Sequence, residues 1–270
     1  MGFWLLIYLV IHLITNSQAA LWIGDDGIGF IRLVNALEAL PYLQIVETVL
    51  IGIPLAVHGI WGIKRALSAK LNAGGGDGSS PSLPYSRNRA FAWQRMTSWI
   101  LLVGIIGHVV QMRFLDAPKK AKSNLGEERY FTKVSFDEGL DTLAERLHVT
   151  IYESQEIAAL DDSDWADVLS SFRLKENQAV AMSSTPGTAF LLMVRDTFKS
   201  PLMAGLYTVF LLAAAFHAFN GFWTFLIAWG VILSYRSQKA MLPVGMIGML
   251  VLSLLGLAAI WCSSWVNLRN

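Results

Sequence analysis

Cysteine is nearly absent from this chain. Cys262 stands alone among 270 residues, so no intrachain disulfide can form and no CxxC or Cys-rich metal motif exists. Charge is scarce as well. Asp, Glu, Lys and Arg make up 15% of the sequence, against about 25% in an ordinary soluble domain. That deficit argues against one hydrophobic core inside a wet surface. The net charge of +1 says little about partners, and no nucleic-acid partner is expected. Hydrophobic residues fill the gap, at 54% of the chain with a mean hydropathy of +0.47. The charges fall mostly between apolar runs, the pattern of a polytopic membrane protein whose bilayer replaces water as solvent. Trp, Phe and Tyr number 10, 14 and 7, and many lie near the ends of those runs, as in an interfacial aromatic belt.

Five runs are long enough to cross a hydrocarbon core of about 30 Å, which takes about 20 helical residues. They cover about 2–22, 42–63, 93–112, 202–233 and 242–261. The first begins inside its apolar stretch, with no charged flank and no clear cleavage site. The expectation is a start further upstream, or entry into the membrane with almost no leader. A short polar connection at 23–41 contains Gly24-Asp25-Asp26-Gly27 and then an amphipathic turn. Residues 72–84, NAGGGDGSSPSLP, read as a flexible loop. The predicted fold is an all-α membrane protein of five helices, the first four forming a cofactor-binding bundle. It divides into helices I–III at 1–115, a polar insert at 116–199 and helices IV–V at 200–270. In the insert Asp and Glu outnumber Lys and Arg. Residues 135–147 read there as a capped amphipathic helix, while HVTIYES, QAVAMSS and AFLLMVRD read as strands of a small α/β subdomain.

Lys64, Arg65, Lys70, Arg87, Arg89, Arg95, Arg236 and Lys239 all fall in connections 2–3 and 4–5 or at their margins. The positive-inside rule puts those connections in the cytoplasm. The N-terminus is then cytoplasmic, and the insert and C-terminus are external.

Four of the runs carry one histidine each: His12, His58, His108 and His217. A ring at such depth is costly unless its nitrogens are occupied. At about 1.5 Å per residue, His58 and His217 lie roughly 24 and 22 Å from the outer face, and His108 lies roughly 22 Å from the inner one. His12 lies about 13 Å from the outer face. The four therefore sort into an inner layer, His58 with His217, and an outer layer, His12 with His108, roughly 10–16 Å apart. Neutral imidazole is a good ligand for haem iron. The prediction is two haem b groups, each held between two helices by one of these pairs, with the histidines as axial iron ligands. Gly52, Gly59, Gly62, Gly104, Gly107, Ala213–Ala215 and Gly221 would let a porphyrin approach, and equally suit close helix packing. Arg87, Arg89, Arg95, Arg236 and Lys239 would either meet propionates or anchor the topology. Glu47 would relay protons or sit at the interface, and Asn16, Gln18 and Asn220 are candidate donors to a quinone or haem edge. His148, in the insert, reads as a surface or strand residue.

These residues resemble the cytochrome b membrane-anchor subunit of succinate dehydrogenase, in its single-chain, five-helix, two-haem form (cytochrome b558). The resemblance rests on HLITNSQAALW at 12–22, PLAVHGIWGI at 54–63, SRNRAFAWQRMTSWILLVGIIGHVVQMRF at 86–114 and FHAFNGFWTFLIAWG at 216–230. It implies that His12 and His108 bind the lower-potential haem, and His58 and His217 the haem nearer the cytoplasm. It also implies an FAD flavoprotein partner, an iron–sulfur partner and electron relay to a quinone, expected to be menaquinone. No succinate chemistry would occur on this chain, and the direction, succinate oxidation or fumarate reduction, is left open. Two features depart from the family: its short basic leader is missing here, and the insert is longer than usual. The alternatives are a haem b subunit of another quinone-linked oxidoreductase, a non-haem transporter or a structural anchor. Clear internal repeats or several intramembrane carboxylates would favour transport, and neither stands out.

Overall fold

The computed structural model describes residues 1–21, 25–68, 86–160 and 164–263. Gly24, Lys70 and the 72–84 loop lie outside them. In chain order the described helices begin with α1 (Gly2–Ser17), α2 (Ile28–Glu38), α3 (Leu43–Ser68) and α4 (Ser86–Leu115). The insert follows, with β1 (Lys119–Lys122), β2 (Glu128–Ser135), α5 (Leu140–Arg146), β3 (Thr150–Tyr152), α6 (Ser154–Ala158), α7 (Ala166–Ser170), β4 (Gln178–Ser183) and α8 (Pro186–Phe198). The last two helices are α9 (Pro201–Ala228) and α10 (Tyr235–Trp261).

Helices α3, α4, α9 and α10 have 26, 30, 28 and 27 residues and are long and apolar enough to cross a membrane. At about 1.5 Å per residue each exceeds the roughly 30 Å hydrocarbon core. Their large apolar side chains stand exposed, including Val57, Ile60, Val103, Ile106, Val209, Ile247 and Leu250. A soluble surface rarely tolerates so much apolar exposure, whereas lipid requires it. Helix α1 has 16 residues and is shorter than the run at 2–22 led us to expect. It ends at Ser17, a fully buried residue whose hydroxyl turns back to donate to the Ile14 carbonyl. Conversely, α3 and α4 run past their apolar windows, because Lys64, Arg65, Arg87 and Arg89 suit a helix even where they do not suit a bilayer core.

The contacts divide the chain into two compact units. One comprises Met1–Leu13, Tyr42–Ile106 and Thr208–Leu255. In it a π-helical turn at Thr48–Gly52 interrupts α3 just before Pro54. Proline has no N–H to offer the Leu50 carbonyl one turn back. The Trp4 indole of α1 supplies the donor instead, at 2.6 Å. Phe3 stacks on Phe222 and Phe225 of α9 with centroids 6.0 and 5.3 Å away. Gly104 on α4 and Gly248 on α10 admit the rings of Phe210 and Phe219, which a Cβ at either position would overlap.

The other unit comprises Ile14–Pro41, Gly107–Tyr207 and Gly256–Asn270. Its sheet has the order β1-β2-β4-β3, with every pairing antiparallel. Along β4, Ala179 and Ala181 meet Leu140, Leu143 and Leu192 on one face, while Val180 meets Phe131 and Leu169 on the other. Both faces are thus covered, and the strand reads as a continuous buried run.

Two local expectations are corrected here. Residues 189–196 are not a strand but part of α8, which is buried at Leu191–Arg195 between the sheet and α2. A helix packed on both sides loses the 3.6-residue apolar period, so AFLLMVRD carried no helical pattern. The overlooked signal was Thr185-Pro186: Thr185 caps the Thr188 amide and Pro186 occupies the first turn. The helix expected over 135–147 is only α5, starting after Gly139 and lacking a side-chain cap. Ser135 belongs to β2, where its amide donates to Asp196.

Candidate functional site

His58 sits one turn beyond Pro54 on α3, and His217 lies near the middle of α9. Their ring centroids are 6.2 Å apart, with the ring planes at 85°. Two imidazole nitrogens on opposite sides of one metal ion, each at about 2.0–2.1 Å, would set their ring centroids about 6 Å apart. The observed spacing leaves room for one ion between the two rings. Perpendicular planes are compatible with that, since each ring rotates about its own metal–nitrogen bond.

The surroundings of His217 set which ring nitrogen carries the proton. Its Nδ1 lies 3.4 Å from the Thr97 hydroxyl, which itself donates to the Trp93 carbonyl at 2.8 Å. With its proton committed there, the Thr97 oxygen accepts the Nδ1 hydrogen and leaves Nε2 with its lone pair. Thr97 is buried at 4% exposure, so the pairing is shielded from water. One turn earlier, Gln94 donates to the His217 carbonyl at 3.1 Å and accepts from Asn220 at 2.7 Å. These bonds fix the α9 backbone around His217. A Cβ at Gly2 would lie 3.4 Å from His58 Cε1, in ordinary contact with the ring, so α1 packs beside His58. A Cβ at Gly59 or Gly62 would meet nothing within 4 Å.

His12 lies in the same unit and stacks on Tyr8 at 5.5 Å. His108 belongs to the other unit. There its Nδ1 lies 3.3 Å from the Tyr207 hydroxyl, which donates to Gln111 Oε1 at 3.1 Å. This repeats the Thr97 device: a hydroxyl whose proton is engaged elsewhere accepts from Nδ1 and frees Nε2. Phe198 packs edge-on to Tyr207 at 5.1 Å and holds it in place. His148 is exposed, in a left-handed turn with φ 53°, outside any such arrangement. Among the described residues there is no group of three or more His, Cys, Asp and Glu that could hold a metal ion.

Several other candidates have plainer roles. Arg87 bonds Gln238 at 2.7 Å and lies over Trp223 and Tyr235, while Arg95 donates to the Ala66 carbonyl. Both tie helix ends together. Asn220 is engaged by Gln94, and Gly104 serves close packing. Gln94, Thr97, Tyr207 and Gln111 were not singled out in the sequence. Their signal was a polar group inside an apolar run, which by default marks function.

The chain is 26% identical over 255 residues to the succinate dehydrogenase cytochrome b558 subunit of Bacillus subtilis (strain 168), covering 94% of this chain and 88% of that protein. That likeness supports assignment at the level of the family. No family model matches the chain. No solved structure matches it either.

Proposed function

We propose that this chain is the haem b-containing membrane anchor of a succinate dehydrogenase or fumarate reductase, in the five-helix, two-haem form. The observation that carries the reading is the 6.2 Å approach of His58 and His217. His58 and His217 hold one haem, and His12 and His108 the other. When bound, these haems supply one-electron carriers between an iron–sulfur partner and a quinone, expected to be menaquinone. The chain's own residues bind, orient and shield. Thr97 and Tyr207 set the tautomers of His217 and His108, and the apolar helix faces exclude water. The succinate site belongs to the flavoprotein partner, so this chain is not itself the catalyst for succinate.

The proposal includes the division at 1–115, 116–199 and 200–270, with α1 as a crossing helix. It also includes a bacterial cytoplasmic membrane location, an internal N-terminus, and an external insert and C-terminus. Its support is the run of basic residues at the 2–3 and 4–5 connections together with the family-level likeness. The test is isolation of the native complex from membranes. A preparation containing FAD and iron–sulfur subunits, with succinate-dependent reduction of a quinone, bears the reading out. Copurification with a hydrogenase or formate dehydrogenase moves the chain to another quinone-linked enzyme, and a chain without haem or partners overturns the reading.

A further inference from the structure

Helix α2 has two apolar faces, and among the described residues only one is buried. On the first, Phe30 and Ile31 are 3% and 6% exposed and, with Val34, pack on Leu191, Met193 and Val194 of α8. The approach is close and specific. The Gly187 amide donates to Asn35 Oδ1 at 2.7 Å, and a Cβ on Gly187 would collide with the Ile31 carbonyl. Arg146 of α5 adds a forked pair of bonds to Asp26, at 2.9 and 2.8 Å, just before the helix. The second face carries Leu33, Leu37 and Leu40, which are 42%, 48% and 43% exposed. Leu40 continues this stripe because its amide still bonds the Leu37 carbonyl beyond the helix end. Arg32 borders the stripe, where a cation can reach lipid phosphates.

Two observations bear on what covers that face. The end of α4, a helix of crossing length, reaches α2 directly: Met112 packs into the α2–α8 cluster, and Arg113 lies 4.0 Å from Glu38. Helix α2 is thus tethered at the end of a helix of crossing length, with the insert packed on its Phe30–Ile31 face. We infer that α2 is an interfacial helix whose Leu33–Leu37–Leu40 stripe lies in the headgroup–acyl boundary of the bilayer. The α/β insert then rests on the membrane surface through α2.

The test places one nitroxide label on the full chain in phosphatidylcholine–phosphatidylglycerol vesicles, in a Cys262→Ser background. The labelled variants are Leu33→Cys, Leu37→Cys, Leu40→Cys and, on the insert, Asp141→Cys. Collision with oxygen, which concentrates in lipid, is compared with collision with a water-soluble nickel chelate. The inference expects the three leucine positions to favour oxygen strongly and Asp141→Cys to favour nickel, in preparations whose helical content matches the parent. Nickel access at position 37 equal to that at 141 overturns it, because the stripe then faces water. Shielding from both reagents also overturns it, because protein then covers the face.

Discussion

Asp137 is the hinge of a charged cluster in the insert, and neutralising it should loosen that subdomain. Its carboxylate pairs with Arg195 and Lys199 and accepts the Gly139 amide. Burial works to raise its pKa, but the hydrogen bonds from Arg195, Lys199 and Gly139 overcome that and hold it at about 2, below an ordinary 3.8. A depressed carboxyl contributes stability above its unfolded pKa and loses it as pH falls through the folded one. The window is therefore about pH 4 down to pH 2. The full shift corresponds to about 2.5 kcal/mol, which partial exposure of the carboxylate reduces to roughly 1–2 kcal/mol. Asp137→Asn should cost more at neutral pH. Arg195 is only 3% exposed and loses its counter-ion, and breaking a buried pair costs about 3 kcal/mol or more. Lys199 retains Asp196 at 3.2 Å. The assay is hydrogen exchange of the β2, β4 and α8 amides in the full chain, corrected for intrinsic rates. About 3 kcal/mol predicts exchange roughly a hundredfold faster in Asp137→Asn. The variant should also lose most of the acid dependence between pH 4 and 2. Unchanged exchange at neutral pH, or an identical acid profile in both proteins, would refute the reasoning.

Gly104→Ala should destabilise the purified protein by about 1–3 kcal/mol, because its Cβ falls on the Phe210 ring. Gly107→Ala, where the Cβ meets nothing within 4 Å, should be close to neutral, and equal thermal midpoints for the two variants would count against the packing. Trp4→Phe removes the donor to a Leu50 carbonyl that Pro54 leaves open and should cost about 1 kcal/mol in thermal stability. Pro54→Ala should reduce that cost by restoring a helical donor. Thr97→Val should retain haem content but raise the midpoint potential of one haem, since the bond from Nδ1 no longer strengthens His217 as a donor. A redox titration identical to the parent would remove Thr97 from that role.

Much of the architecture was legible because bilayer thickness imposes a length on apolar runs. Four of the five runs are helices of crossing length, while the first run yields the 16-residue α1. Where lipid ends, the pattern ends too. Helix α8, buried on both sides, showed no period, and the α2 stripe of Leu33, Leu37 and Leu40 looked like a mere turn. At the site, counting residues from the membrane faces placed His58 and His217 in one layer, and their rings stand 6.2 Å apart. Depth alone could not find Thr97 or Tyr207. A hydroxyl's value here depends on which carbonyl or amide takes its proton, and only three-dimensional contact decides that.

The most direct test of the central claim is haem stoichiometry by pyridine haemochrome, normalised to polypeptide, in the wild-type chain and in His58→Ala and His217→Ala. The account predicts two haems b per chain. Either substitution should reduce this to one, with the same redox transition missing in both variants. Two haems retained in a folded variant, or loss of different transitions in the two, would contradict the pairing of His58 with His217 on one iron.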